Sequence, residues 1–151
     1  KKAPDSSKPC TDNCVSAKVD GVYFENCRTN SWGSPSLTTQ YFVGFYFDVD
    51  ARNVCQSPTK EVYLKIYGNN TGTYLLGDTT MNKGSYIDHV GSQLIINSTD
   101  SAHTGTVIIT KFDTTARRIS GTFQFEAIDT STNKIVNITE GKINNISYYK
   151  Y

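Results

Sequence analysis

His89 and His103 are the side chains in this sequence suited to general base work near neutral pH. His89 alternates with Ile87 at the end of a short strand-like run, and His103 lies in a polar loop. Both read as surface residues. No Gly-x-Ser-x-Gly elbow sets up a serine nucleophile. Asp48 and Asp50 fall on one face of a strand with Asn53 beyond, and hard oxygen ligands in that order suit calcium. The segment lacks the loop glycine and distal glutamate of an EF-hand, so a polar strand end running into a turn is the simpler reading. The expectation is no metal, no cofactor and no catalytic residue. The aromatic residues offer more. Trp32 sits in a Gly-Pro loop, while Tyr63, Tyr67, Tyr148, Tyr149 and Tyr151 lie on or beside strands. Such rings bind sugar faces and proteins, because they bury apolar area while a polar edge stays wet. Trp32, Tyr63 and Tyr67 are the candidate platform, against the plainer role of flanking strand ends and capping the core.

The four cysteines, Cys10, Cys14, Cys27 and Cys55, fall in the first third of the chain. An even count suits a disulfide framework in an oxidising compartment. A zinc site would pair two CxxC-like knuckles, and here two of the four stand isolated on strand-like segments. If all are bridged, no thiol nucleophile remains. Asp20-Gly21 is a strong two-residue hairpin signal, which sets Val19 opposite Val22. Five steps outward, Cys14 faces Cys27 at a non-hydrogen-bonded position, where a Cα separation of about 4.5 Å suits a disulfide. Cys14–Cys27 and Cys10–Cys55 is therefore the expected pairing.

These residues must be held by strands. The chain of 151 residues is 37% hydrophobic and 19% charged, rich in Thr, Val, Ile, Tyr and Phe, with one Met and one Trp. No stripe of helix formers recurs at three and four residues. Fifteen basic against fourteen acidic residues leave +1, no field for a phosphate backbone, so nucleic acid is not an expected partner. Residues 1–12 read as a flexible polar tether and 13–151 as one β domain. Strands are expected at Val15–Val19, Val22–Cys27, a long central run Thr38–Val49, and Glu61–Tyr67 with Val62, Leu64 and Ile66 inward. Shorter ones follow, and Ile119–Ile128 alternates most clearly. Lys134–Thr139 and Lys142–Tyr149 close the fold around a Glu140-Gly141 turn. About ten short strands spell an all-β fold, an antiparallel β-sandwich or a closed or partly open β-barrel.

The second half carries a recognisable order: Gly72-Thr73-Tyr74-Leu75-Leu76, then Gly105 to Asp113, Arg118-Ile119-Ser120-Gly121-Thr122-Phe123-Gln124-Phe125-Glu126-Ala127, Val136-Asn137-Ile138-Thr139-Glu140-Gly141, and Ile146-Ser147-Tyr148. It resembles a family of small Bacteroidota surface lipoproteins that carry a domain of unknown function. The likeness covers roughly Gly72 to Tyr148, and its motifs are structural, not catalytic. It implies a β fold and an N-terminal lipid anchor outside this chain, the one expected link to a membrane. It also implies an extracellular or outer-membrane location, or the periplasmic face. Asp78-Thr79-Thr80, Asp100-Ser101-Ala102 and Asp113-Thr114-Thr115 resemble O-glycan acceptors of such bacteria, which makes Thr79, Ser101 and Thr114 candidate modification sites. The expected function is a non-enzymatic binding or accessory module, as a subunit of an outer-membrane complex, with a protein or a glycan as partner. The alternative is a glycan-binding or glycan-processing protein using exposed aromatics.

Overall fold

Short runs of β-branched and aromatic residues, cut by Gly, Asn and Asp, fold as strands because branched side chains pack well on a pleated surface. The computed structural model describes residues 10–27 and 36–151; the start of the chain and the loop with Trp32 lie outside the described residues. The strands are β1 (Cys14–Val19), β2 (Val22–Glu25), β3 (Leu37–Phe42), β4 (Tyr46–Asn53), β5 (Thr59–Ile66) and β6 (Gly72–Leu76). They continue with β7 (Lys83–Val90), β8 (Gln93–Ser98), β9 (Gly105–Asp113), β10 (Arg118–Asp129), β11 (Lys134–Ser147) and β12 (Tyr149–Lys150). The described residues contain no helix. One sheet runs in the order β12-β3-β4-β5-β7-β8-β10-β11-β1-β2, with β9 alongside β10 and β6 alongside β9. It curls into a half-barrel, the partly open form of the expected all-β architecture.

The concave side is the core. Val62, Leu64 and Ile66 point inward from β5, and Ile119, Phe123, Phe125 and Ala127 from β10, all as the alternation predicts. Each such large side chain contributes about 1.5–3 kcal/mol on leaving water. One end is filled by Tyr41, Phe47, Phe112 and Tyr148, whose rings meet at centroid distances of 5.3 to 5.7 Å. Gly121 is required where β10 meets β9, since a methyl group there would run into the Ile108 carbonyl.

Four expectations change. The run Thr38–Val49 is a hairpin, not one strand. Val43, Gly44 and Phe45 form its tip, with Gly44 at φ 78° and the Phe45 amide donating to the Phe42 carbonyl at 3.0 Å. Phe45, of the same strand parity as the buried Tyr41 and Phe47, is exposed. Glu140-Gly141 is not a turn. Glu140 takes a φ of 51° and the register shifts by a bulge on both sides, while β11 runs on unbroken. Gly141 lies under the Phe123 ring, where a side chain would collide.

The disulfides are Cys10–Cys14 and Cys27–Cys55, not the expected pairs. The hairpin register itself holds, with Val19 opposite Val22 and Ser16 opposite Glu25. β2 then leaves β1. The Cys27 amide donates to the Arg52 carbonyl at 3.0 Å, which brings its Cα to 5.8 Å from that of Cys55. Cys14 meets Asn144 of β11 instead, and Cys10 folds back on it with a Cα separation of 6.0 Å. The tether expected up to residue 12 is docked from Cys10 onward. Asn144 Nδ2 donates to the Cys10 carbonyl at 3.0 Å, and Asn145 Nδ2 to Asp12 Oδ1 at 2.8 Å.

Candidate functional site

The convex face of β3, β4, β5 and β7 is polar by alternation, because the opposite positions fill the core. Register sets its side chains in rows. Gln40, Asp48, Lys65 and Lys83 form one row, and Thr38, Asp50, Tyr63, Ser85 and Ser98 the next. Arg52 and Glu61 then face each other with Ile87 beside Glu61 on β7, and His89 lies one row further on, opposite Thr59.

This face is not a loose solvated surface. Arg52 grips Asp50 with two hydrogen bonds, Nε to Oδ1 at 3.0 Å and a terminal nitrogen to Oδ2 at 2.7 Å. The same Nε lies 3.2 Å from Glu61 Oε2, and that oxygen lies 2.7 Å from His89 Nε2. Glu61 is only 5% exposed. Burial raises its pKa, and the nearby Asp50 charge adds to this against the opposing pull of His89 and Arg52. Burial also raises the pKa of Asp48, with Asp50 pushing the same way. Tyr63, flanked by these carboxylates, is pushed up to about 12, mainly by burial.

An aromatic strip borders the ionic rows. Tyr151, Phe42, Tyr46 and Tyr67 follow one another with ring centroids 4.7 to 5.4 Å apart. Lys65 Nζ sits 4.2 Å from the Tyr46 centroid and 5.4 Å from that of Tyr67. The strip exists because β12 adds to the edge of β3, where the Tyr151 amide donates to the Tyr41 carbonyl at 2.9 Å. Side by side, apolar ring faces and fixed carboxylates can hold a polyhydroxylated or peptide ligand lying along the sheet.

The expected site residues divide accordingly. Tyr63 and Tyr67 both stand on this face, Tyr67 in the strip and Tyr63 among the carboxylates; Trp32 lies outside the described residues. Asp48, Asp50 and Asn53 do not converge on a cation. Both Asp50 oxygens are held by Arg52, and Asn53 has the opposite strand parity, with its Oδ1 accepting from the Cys55 amide at 3.2 Å. The Cys10 and Cys14 sulfurs gather with the Glu25 carboxylate within 4.8 Å, but the sulfurs are bonded to each other. Thr79, Ser101 and Thr114 are exposed. The aspartates before Ser101 and Thr114 cap turns: Asp100 Oδ1 accepts from the His103 amide at 2.6 Å, and Asp113 Oδ1 from the Ala116 amide at 2.7 Å.

Sequence reasoning missed the Asp50–Arg52–Glu61–His89 chain, whose members come from three strands. Arg52 two residues after Asp50 was the one local signal. It also passed over three Ser-x-x-Lys spacings, Ser57 to Lys60, Ser131 to Lys134 and Ser147 to Lys150. On a helix that spacing lays the amine over the hydroxyl. Here the segments are turns and strands.

The half-barrel with its built polar face is a small disulfide-bonded β domain. The chain belongs to the family described as Domain of unknown function (DUF6252), whose model matches residues 53–147. No curated protein and no solved structure matches it. The family segment supplies β5 through β11, so the polar face is half inside it, from β5 and β7, and half outside, from β3, β4 and β12.

Proposed function

We propose that this domain is a non-enzymatic binding or accessory module of a lipid-anchored protein exposed outside the cytoplasm, and that it holds its partner on the convex face of β3, β4, β5 and β7. One observation carries the reading. Polar residues of that face are half-buried against each other in a continuous ionic and aromatic lattice, although nothing in the strand pattern requires it. Two disulfides support an oxidising location. The test is photocrosslinking in the native host, with p-benzoylphenylalanine at Tyr46 or Tyr67 against Thr122 or Gln124 on the convex face of β10. A discrete adduct from the first pair alone is the expected result. Equal crosslinking from both pairs would sink the reading.

The aromatic strip favours a carbohydrate as the partner on this face, since stacked rings with carboxylates beside them suit a sugar's C–H face and its hydroxyls. Saturable binding on a glycan array, lost in a Tyr46→Ala, Tyr67→Ala double variant, is expected. A protein adduct without any glycan binding would assign the face to a protein partner.

A further inference from the structure

We propose that the mouth of the half-barrel is a second site, which takes one small uncharged sugar ring. The inward series of β5 reads Ile66, Leu64, Val62 and then Lys60, and Asp88 of β7 stands opposite Lys60. A small barrel ordinarily fills its interior with side chains. At this end the last layer is charged and leaves a cavity of about 230 Å³, walled by Val22, Phe24, Tyr86 and Val136 as well as Lys60 and Asp88. Such mouths are recurrent ligand positions.

The polar pair is incompletely engaged. Lys60 Nζ lies 3.5 Å from Asp88 Oδ1, longer than the roughly 2.7–2.9 Å of a direct charge-assisted bond. The Tyr86 hydroxyl donates to the same Asp88 oxygen at 3.2 Å. Lys60 also meets the Tyr86 hydroxyl, yet an ammonium has three donors and a carboxylate about four lone-pair sites, so both keep capacity for a ligand in the cavity they line. Their charges cancel, which disfavours a ligand of net charge. Two neighbouring hydroxyls match the pair: one donates to Asp88, and the next accepts from Lys60. Val22 and Tyr23, both exposed at the rim, give the C–H face of the ring apolar contacts, over a floor closed by the buried Phe24 and Val136. The cavity is on the scale of one sugar ring. Glu61 points to the opposite side of the sheet from Lys60, so this site stands or falls apart from the convex face.

The test is an amide NMR titration of the intact chain with D-glucose, D-galactose, D-mannose and N-acetyl-D-glucosamine, and with L-glutamine as a zwitterionic probe. At least one sugar is expected to move the Lys60, Tyr86 and Asp88 amides saturably. Asp88→Asn should weaken that sugar by roughly tenfold or more. Val22→Trp plugs the mouth from an exposed rim position without touching the polar pair and should abolish binding, while Gln124→Ala on the far face should leave it unchanged. The proposal is overturned if no sugar shifts those amides in folded protein. It is equally overturned if L-glutamine saturates them and the sugars do not, or if the Val22→Trp protein binds as well as the parent.

Discussion

The convex faces of the two halves of the sheet obey the same alternation and end in different states. On β10, Thr122 and Gln124 project into solvent, as does Lys142 opposite Thr122 on β11. On β4 and β5, the equivalent outward positions are Asp48, Asp50, Arg52, Glu61, Tyr63 and Lys65, and none of them is fully exposed. A solvated face is what a half-buried antiparallel sheet needs and no more. Packing charges and rings against each other on a convex surface costs desolvation without adding to the hydrophobic core. On β10 the outward Glu126 side chain is 41% exposed and lies a longer 3.7 Å from His103 Nε2. The cost therefore falls mainly on β4 and β5, which makes that half the candidate for recognition and the other a scaffold. The scaffold half, β9 to β11, lies wholly within the family segment, whereas the recognition half straddles its start.

Cutting the covalent link between the halves is the largest way to disturb the comparison. Cys27–Cys55 ties the end of β2, on the scaffold side, to the turn after β4, across a sequence separation of 28. Replacing both by serine is expected to cost about 3–4 kcal/mol on the chain-entropy view, measured by urea denaturation. Replacing Cys10 and Cys14, separated by 4, should cost about 2 kcal/mol, because the loop they close is short. A larger loss from the second pair would show that the docking of Cys10 on Asn144 outweighs loop closure.

Much of the scaffold half was legible in the sequence, because an inward series such as Ile119, Phe123, Phe125 and Ala127 follows from alternation alone. The hairpin at Gly44 was not. Its tip has three residues, an odd number, so Tyr41 and Phe47 face each other with the same parity and the apolar alternation crosses the turn unbroken. Glu140-Gly141 misleads in the opposite sense. The bulge moves the inward positions from Val136 and Ile138 to Gly141 and Ile143, and that change of parity reads as a turn. The ionic chain was hidden for a third reason. Glu61 meets Arg52 and His89 only through strand pairing, and no spacing along one chain encodes pairing partners.

A smaller effect separates the faces by charge. Arg52→Met leaves Asp50 and the buried Glu61 without their shared cation, and should cost about 2 kcal/mol. Lys18→Met breaks the Lys18–Glu140 pair at 3.0 Å on the scaffold side, where the two side chains are 43% and 65% exposed, and should stay within about 0.5 kcal/mol. Chemical denaturation of both variants checks the difference. Equal costs would mean that the ionic lattice of β4 and β5 is an ordinary surface after all.

The smallest expected effect, and the sharpest, is the order in which carboxylates titrate. On the recognition face, burial holds the pKa values of Glu61 and Asp48 above the ordinary range. The stability they contribute is therefore fully present below their unfolded pKa values and is lost as pH rises through the folded ones. In the scaffold half the sign reverses. Asp113 is held below the ordinary range chiefly by the Ala116 amide, and Asp129 chiefly by the Ser131 hydroxyl. Their contribution is present above the unfolded pKa and is lost as pH falls through the folded one. Carboxyl-carbon NMR across about pH 2 to 7 should place Glu61 and Asp48 above the ordinary carboxylate range and Asp113 and Asp129 below it. Glu61→Gln should correspondingly flatten the fall in Tm as pH rises from about 4 to 6, and leave the acid-side loss below about pH 4 in place. If Glu61 titrated together with Asp129, its carboxylate would be as well solvated or as well paired as any turn aspartate. The electrostatic distinction between the two faces would then vanish, and with it the main reason to look for a partner on β4 and β5.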